Sequence, residues 1–450
     1  MPPMQTPVHI FWFRRDLRFD DNYGLFRALS AGLPVVPVFI FDKEILDYLE
    51  DRDDRRLTFI HDTLTQLQGQ LATRGSSLDI RYGKPLEVFA QLLSEYPVRA
   101  VFANHDYEPY AAARDGAVNA LLLQQGASLI TFKDQVIFEK DEVVKNDGLP
   151  YGVYTPYSKK WKLQLQPAHY QSFDSLGLMD NFYRQPERPV PALEAMGFTR
   201  HPDAFPGNVL NEAVVKLYHQ QRDFPALPGT TQLGVHLRFG TVSIRRLVAQ
   251  ALQLNETFLG ELIWREFFMQ LLWHYPRLVH ECHKREYEAI RWRNDEKEFE
   301  AWCEGRTGYP IVDAGMRELN ATGFMHNRVR MVVASFLIKH LLIDWRLGEG
   351  YFARKLLDFD LSANNCNWQW VAGCGCDAAP YFRIFNPASQ AKKFDGQDQY
   401  IKRWVPEYKT RDYVLPIVDH EFARKRCLAA YKEALQMKMT PQSANKLFAD

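Results

Sequence analysis

The sequence lacks several features that mark common classes of protein. Its 450 residues carry no formal net charge, so a chain that binds nucleic acid over its whole surface is not indicated. The six cysteines form no zinc-binding pattern, since the pair Cys374 and Cys376 stands alone, and we expect reduced thiols in an intracellular, cytoplasmic protein. The apolar run at residues 33–41 is too short to span a bilayer, and no membrane association is expected. Internal repeats and low-complexity tracts are also missing.

The charge that is present is divided unevenly along the chain. Residues 1–200 carry 22 basic and 26 acidic side chains, which leaves the second part of the chain with the basic excess. Any affinity for DNA must therefore come from a local patch in that second part. Aromatic residues make up 14% of the chain, which suits either large cores or a site that stacks planar ligands.

The first third of the chain alternates short apolar runs with longer helical patterns. Five runs rich in β-branched and aromatic residues predict strands, and the segments between them predict crossover helices. This order is typical of a parallel sheet covered by helices on both faces. We therefore predict an α/β domain of the Rossmann-like type over residues 1–135. The first run is followed by a charged turn, Phe13–Asn22, rather than by a glycine-rich dinucleotide motif.

The rest of the chain carries no strand pattern. Eight prolines interrupt residues 136–210, which predicts an irregular interdomain linker. From Asn211 the apolar periodicity is helical, so residues 211–450 are predicted to form an all-helical domain. Residues 328–345 are expected to be one of its core helices.

The stretch Asp358–Phe394 combines acids, amides and large aromatic residues among small polar ones. This composition predicts a loop that serves a site. In an extended loop, residues two apart point the same way, so Asp358 and Asp360 form one such pair and Trp368 and Trp370 another. An aromatic core corner with capping acids would produce the same pattern.

Three other patterns carry candidate chemistry. Thr230 and Thr231 follow Gly229 ahead of a predicted helix, which is typical of a phosphate-binding turn and also of ordinary helix capping. Glu261 and Trp264 lie three apart and so share a helix face, as they would in a plain core. Asn327 and Met331 share another face, with Arg330 beside them, and a solvated arginine would fit equally well.

Taken together, these motifs resemble the DNA photolyase/cryptochrome family. The resemblance is carried by NWQW and DAAPYFRIFNP within the stretch Asp358–Phe394, by PGTTQLGVHLRFG at Pro228–Gly240, by ELIW at Glu261–Trp264 and by MHNRVRM at Met325–Met331. It covers nearly the whole chain. It implies an antenna-type α/β domain followed by a helical domain that binds FAD and DNA.

The resemblance assigns residues to the cofactor. FAD would be held by Tyr218, by the loop Thr230, Thr231, Gln232, Leu233 and Gly234, and by Arg330, Asp358, Asp360 and Asn364. Gly234 replaces a serine that many relatives carry, so a backbone amide or a water would take the place of one hydroxyl contact. Arg330 is expected to pair with Asp358 against the flavin ring, and Asn364 to face its N5 edge.

The resemblance also implies which residues act on the substrate. Glu261, Trp264, Trp370, Asn327, Met331 and Asn364 would form the catalytic set for a flipped-out cyclobutane pyrimidine dimer. Relatives that repair (6-4) photoproducts carry histidines where this chain has Asn327 and Met331. Trp292, Trp345 and Trp368 match the family's electron-transfer chain.

Contacts with DNA are expected from a basic cluster in the second part of the chain. Its members are Arg222, Arg328, Arg383, Lys392 and Lys393, together with Lys402 and Arg403, and the aromatic residues Trp264 and Trp370 would join them. A second, antenna chromophore is possible. Tyr110 and Ala111 stand where one folate-binding subgroup carries its ligands, so a folate, a deazaflavin, another flavin or no chromophore remain open.

The implied activity is light-driven repair of cyclobutane pyrimidine dimers by electron transfer from excited reduced FAD, in a protein that acts as a monomer on damaged DNA. The alternative is a cryptochrome, with the same fold and cofactor but a signalling output. A nucleotide-binding stress protein would account for the first domain only.

Overall fold

The computed structural model describes residues 6–437 of the chain. These residues form two compact units that interleave along the sequence. The first comprises residues 1–149, 158–211 and 232–266, and the second comprises residues 150–157, 212–231 and 267–450, in each case within the described range. The sequence predicted three consecutive segments, with boundaries at residues 135 and 210. The compact units are assembled from separate stretches of the chain instead, so these boundaries stay a prediction about the order of the sequence alone.

The first unit is built on a five-stranded parallel sheet, as predicted. The strand order is β3-β2-β1-β4-β5, so the first strand of the chain lies at the centre. Every residue of β1 and β2 is buried, which follows from helices covering both faces. The strands are β1 Val8–Phe13, β2 Val35–Asp42, β3 Asp79–Gly83, β4 Val98–Asn104 and β5 Leu129–Phe132.

Buried ion pairs connect distant segments of the first unit. Asp134 accepts hydrogen bonds from Arg18 at 2.6 Å and from Arg245 at 2.8 Å, and both guanidinium groups are more than nine-tenths buried. Arg245 also bonds Asp21, which in addition accepts from the Ser243 hydroxyl. Charges buried this deeply need such partners, because removing one would leave an uncompensated ion in a low-dielectric interior.

The second unit is helical, and within the described range no strand occurs after β5, as predicted. The α-helices of residues 6–437, in order, are α1 Tyr23–Leu29, α2 Lys43–Leu46, α3 Arg55–Ala72, α4 Pro85–Glu95, α5 Pro109–Gln124, α6 Tyr154–Gln164, α7 Glu212–Lys216, α8 Tyr218–Gln221, α9 Gly234–Phe239, α10 Ile244–Leu254, α11 Glu256–His274, α12 Glu296–Cys303, α13 Pro310–Thr322, α14 Asn327–Ser335, α15 Trp345–Lys355, α16 Leu361–Ala372, α17 Pro387–Phe394, α18 Gln399–Trp404 and α19 His420–Met437.

Two expectations about this unit are wrong. The helix predicted over residues 328–345 is interrupted: α14 ends in a π-helical turn, Phe336–His340, and Leu342 then adopts a left-handed φ of 53° before α15 begins. The stretch Asp358–Phe394 is not a single loop, because α16 occupies its centre. Asp360 caps that helix, accepting from the Ala363 amide at 3.2 Å.

Among residues 6–437, none of the helices has the length and apolar character needed to cross a bilayer. All six cysteines are free thiols. In the same part of the chain, no group of three or more His, Cys, Asp or Glu side chains is arranged to hold a metal ion.

Candidate functional site

The loop with the two threonines is held tightly against α8. A side chain at Gly229 would place its Cβ 2.7 Å from the Cβ of Gln221 and 2.8 Å from the Gln221 carbonyl oxygen, so only glycine permits this approach. Thr230 and Thr231 follow directly, and Tyr218 begins α8. Gln232, the next residue, has a left-handed φ of 53°. The backbone of this loop is tightly constrained, as expected of a loop whose amide groups surround a phosphate.

The ion pair predicted between Arg330 and Asp358 is present. Nη2 of Arg330 donates to both carboxylate oxygens of Asp358, at 3.1 and 2.9 Å, and Nε of Arg330 donates to the Met325 carbonyl at 2.7 Å. Both side chains are about three-quarters buried. The guanidinium is therefore fixed in orientation, as a group that positions a planar cofactor must be.

Asn364 is oriented by two hydrogen bonds on α15. Its Nδ2 donates to the Glu349 carbonyl oxygen at 3.1 Å and to Glu349 Oε1 at 2.8 Å. A backbone carbonyl can only accept, so the amide nitrogen must face Glu349 and the amide oxygen must face elsewhere. Burial raises the pKa of Glu349, and the hydrogen bond from Asn364 opposes that rise.

Trp368 and Trp370 do not point the same way, contrary to the expectation for a loop. On a helix, residues two apart lie on nearly opposite sides. Trp368 is buried, with its ring 6.2 Å from that of Trp302. Trp370 is half-buried. The helix thus gives one indole to the core and leaves the other accessible to a ligand.

The other two tryptophans of the predicted electron-transfer chain lie in or against the same core. Trp345 is fully buried at the start of α15, and its Nε1 has no hydrogen-bond partner among the described residues. Trp292 is half-buried and packs against this core with its ring 6.1 Å from that of Tyr431. The three predicted tryptophans therefore range from fully buried to half-buried, and their role in electron transfer stays a prediction.

Two of the residues predicted to contact the lesion, Asn327 and Met331, lie within the first five residues of α14. Asn327 is exposed and Met331 is half-buried. Arg328, between them, donates to Asp223 at 2.6 Å and lies 4.4 Å over the ring of Phe394. Its charge is thus partly balanced within the protein. The neighbouring His326, which the sequence did not single out, caps the helix by accepting from the Arg328 amide at 3.1 Å.

His326 must be neutral to accept that bond. Burial, with Arg330 nearby, lowers the pKa of His326 to about 4. The cap is therefore intact at neutral pH and is lost only in acid.

The predicted DNA-binding cations of the second unit are mostly at the surface. Arg383, Lys392 and Lys393 are exposed, and Lys393 lies 5.0 Å over the Phe394 ring. Arg222 is half-buried over the ring of Tyr218. Lys402 and Arg403 are exposed on α18. Phe394, which both Lys393 and Arg328 contact, links α14 with α17.

Glu261 and Trp264 lie on α11 in the first unit and are both half-buried. The sequence missed a third member of this helix, Glu266. Its carboxylate accepts from the backbone amides of Ile137, at 2.7 Å, and Phe138, at 3.0 Å, and from the indole of Trp161. Burial raises the pKa of Glu266 to about 7, against these three bonds.

The carboxyl edge of the sheet is crossed by side chains of the first unit itself. The Tyr110 hydroxyl donates to Asp42 at 2.7 Å, and Arg14 donates to Asp115 at 2.6 Å. Arg114 lies 4.8 Å over the Trp12 ring. The charged turn after β1 therefore reaches this edge, and there it forms ion pairs.

Comparisons with known proteins agree with this architecture. Residues 9–174 match the family model described as DNA photolyase, and residues 258–412 match the FAD-binding domain of DNA photolyase. A deoxyribodipyrimidine photo-lyase of Synechococcus is 37% identical, over 96% of this chain and 97% of its own. The crystal structure of a bacterial class III photolyase from Agrobacterium tumefaciens superposes with a TM-score of 0.85 at 35% identity, over 97% and 99% of the two chains. An archaeal photolyase from Sulfolobus tokodaii, solved with two FAD molecules, gives 0.77 at 33%, over 95% and 100%.

Proposed function

The chain belongs to the DNA photolyase family, and from that premise we propose that its substrate is DNA carrying cyclobutane pyrimidine dimers. It is a light-driven DNA-repair enzyme that uses FAD. The observation that supports the specific proposal is the full-length similarity to deoxyribodipyrimidine photo-lyases, together with the ordered Arg330–Asp358 pair. We further propose that it works as a monomer in the cytoplasm.

The residues described above suit FAD. We propose that the Thr230–Thr231 loop holds its phosphates, with Tyr218, Gln232, Leu233 and Gly234 adjoining. The glycine cradle and the oriented Arg330, Asp358 and Asn364 support this assignment. Bound FAD supplies the light-driven electron that opens the dimer, and the protein supplies binding, orientation and electrostatics.

The role of the protein in the reaction is to orient the lesion. We propose that the accessible indole of Trp370 and that of Trp264 stack on the extruded bases, because base stacking tolerates a distorted pair. Glu261 would accept a hydrogen bond from a pyrimidine. Asn327 and Met331, within the first five residues of α14, would contact the same lesion. The flanking phosphates would be contacted by Arg328, Arg222, Arg383, Lys392 and Lys393.

The test is a repair assay. Purified protein under blue light should restore cyclobutane-dimer oligonucleotide, whereas the dark control and a (6-4) photoproduct substrate should stay unrepaired. Efficient repair of the (6-4) lesion, or no light-dependent repair of the cyclobutane lesion, would refute the proposal.

A variant pair tests the stacking role of Trp264. Trp264→Ala should weaken binding of dimer-containing DNA by roughly 1–3 kcal/mol. Trp273→Ala is the matched control, because nine residues along a helix place it on the opposite side. Equal losses in both variants would indicate a folding effect.

A further inference from the structure

Arg328, on α14, is paired with an acid that stands within the basic cluster. Its Nη2 donates to Oδ1 of Asp223 at 2.6 Å, and the centre of the guanidinium lies 4.4 Å from the centre of the Phe394 ring. The side chain of Arg328 is 19% exposed and that of Asp223 is 40% exposed. The arginine is thus folded against the protein, in the position that the carboxylate and the ring give it.

Asp223 has cations around it. Nε of the preceding Arg222 lies 3.9 Å from its carboxylate, and Lys393 lies 5.0 Å from the centre of the same Phe394 ring that Arg328 covers. These cations belong to the basic cluster that we propose contacts DNA. A carboxylate among them lowers the attraction for phosphate, and in exchange it controls the position of one arginine.

The pairing leaves part of the Arg328 guanidinium unsatisfied. Its Nε is buried and has no hydrogen-bond partner among residues 6–437, and its Nη1 donates to the Met331 sulfur at 3.6 Å. A thioether is a weak acceptor. A backbone phosphate, by contrast, takes two parallel N–H bonds from an arginine. A phosphate that comes close enough therefore competes with Asp223 for this arginine.

A damaged and an undamaged duplex differ in whether a phosphate comes that close. The backbone of an undamaged duplex stays at the surface, where the exposed side chains Arg383, Lys392 and Lys393 meet it. A nucleotide that is flipped out of the helix takes its flanking phosphates toward the pocket that receives it. Met331, which Nη1 of Arg328 contacts, is one of the residues proposed to touch the lesion. The phosphates beside a lesion are therefore the ones that reach Arg328.

We propose that Asp223 is a specificity-determining residue, which withholds Arg328 from undamaged DNA and yields it to a backbone phosphate when a lesion is flipped out. The inference rests on the proposed function, namely that the substrate is dimer-containing DNA and that Arg328 contacts phosphate. It adds the group that restricts this contact to the damaged site. Asp223 acts through Arg328 and is a positioning residue.

The exchange of partners changes the number of phosphate contacts, and the salt dependence of binding counts them. Each phosphate neutralised by a cation steepens the slope of log affinity against log salt by about 0.9 on duplex DNA. The wild type should therefore bind a dimer-containing duplex with a slope roughly 0.9 steeper than the same duplex without the dimer. Over a fourfold rise in salt, the extra loss of affinity is about three- to fourfold.

The experiment measures the Kd of full-length, FAD-loaded protein for one labelled duplex, with and without a single cyclobutane dimer, in the dark over a series of salt concentrations. Asp223→Asn should steepen the slope on the undamaged duplex by roughly 0.9 and leave the slope on the damaged duplex unchanged, so that the two converge. Arg328→Met should make the slope on the damaged duplex shallower by roughly 0.9 and leave the undamaged one unchanged.

Two further variants make the result specific. Asp223→Ser also removes the charge, with a shorter side chain, and should converge the slopes as Asp223→Asn does. Glu433→Gln is the matched control, because it removes the acid of another exposed pair, Arg291–Glu433 at 3.7 Å, and changes the net charge by the same amount. It should reproduce both wild-type slopes.

Four results would each overturn the proposal. Equal slopes on the two duplexes in the wild type would mean that no partner is exchanged. An unchanged slope on undamaged DNA in both Asp223 variants would show that the acid does not withhold Arg328. An unchanged slope on damaged DNA in Arg328→Met would show that this arginine takes no phosphate. Equal steepening in Glu433→Gln would show a general effect of net charge.

Failure of the proposed function is a different outcome. A wild type that binds both duplexes with the same affinity at every salt concentration, and repairs neither in blue light, would refute the proposed substrate itself. Intact light-driven repair together with any of the four results above would refute the role of Asp223 alone.

Discussion

A methyl group added at Gly348 should disturb Trp368, the innermost tryptophan of the proposed electron route. The added Cβ would come within 2.5 Å of Trp368 Cζ3, and closer still to Cη2 of that ring and to Cδ2 of Leu337. Trp368 is 3% exposed and Leu337 fully buried, so neither can move away freely. Gly350, two residues along the same helix, has no atom within 4 Å of the same construction.

These two glycines form a matched pair. Replacing either by alanine should favour the helix by about 1 kcal/mol. Only Gly348→Ala adds the cost of overpacking, roughly 1–3 kcal/mol. The difference between the two variants therefore isolates the collision. In a unit of about 200 residues it corresponds to a difference in melting temperature of roughly 2–12 °C.

Two assays are needed. Thermal unfolding should place Gly348→Ala below Gly350→Ala by that margin. Light-driven reduction of bound FAD by an external donor should be slowed in Gly348→Ala alone, because electron transfer depends on the position of the indole. If the two variants unfold at the same temperature and are photoreduced at the same rate, the close packing of Trp368 on α15 affects neither the stability of the protein nor electron transfer.

Four further predictions follow from other contacts. Glu266→Gln should lower the free energy of unfolding, measured in urea, by roughly 2–4 kcal/mol, because an amide cannot accept three N–H bonds. The exposed control Glu256→Gln should change it by less than about 0.5 kcal/mol. Equal effects of the two variants would contradict this prediction. Asp358→Asn should reduce the FAD content of purified protein by loosening Arg330, and unchanged flavin absorbance would show that the pair is not at the cofactor. Binding of duplex DNA should weaken with salt with a slope of log affinity of roughly −3 to −4, as expected for about three to five phosphate contacts, and a flat dependence would mean that the basic cluster does not face DNA. Asn364→Asp should make the free energy of unfolding fall more steeply than in wild type as the pH rises from about 5 to 8. The new carboxyl faces the Glu349 oxygens, so it is held protonated in the folded state and ionises more easily in the unfolded state. Parallel pH profiles of the two proteins would refute the orientation given to Asn364.

The sheet was predictable because its strands carry an unambiguous signal. Each is a short run between helical patterns, and β1 and β2 are buried at every position, whereas β3 and β5 are partly exposed. Burial on both faces requires apolar residues throughout, and a helix of that length would not be apolar all round. Five strands were therefore predicted, and the described residues contain five.

The errors arose at two places: where the residues of a helix have low helix propensity, and where the apolar pattern continues past the end of a helix. In α16 the residues Asn364, Asn365, Cys366 and Asn367 have poor intrinsic helix propensity, and the helix forms because Asp360 caps it and its apolar side packs in the core. After α14 the apolar residues continue past the point where the helix stops. The interruption comes from the left-handed backbone of Leu342, a conformation that the spacing of apolar side chains does not predict.

The site was predicted by motif rather than by geometry. The Arg330–Asp358 pair was foreseen, but the hydrogen bonds that orient it, and those of Asn364 to Glu349, depend on contacts between separate helices. Glu266 and His326 were missed because a single acid or histidine in a helical pattern carries no sign of its partner. Burial defines their roles, and burial depends on the whole fold.

The buried ion pairs of Asp21 and Asp134 have a consequence for the order of synthesis. Both carboxylates precede Arg245, and 111 residues separate Asp134 from it. At about 5–20 residues per second, that arginine leaves the ribosome roughly 5–20 s after the last strand has been made. During this interval the nascent sheet has all its strands and lacks one of the cations that balance its interior. The first unit therefore cannot reach its final form before residue 245 is made, and a ribosome that pauses before that residue would hold a sheet whose Asp21 and Asp134 lack one arginine partner.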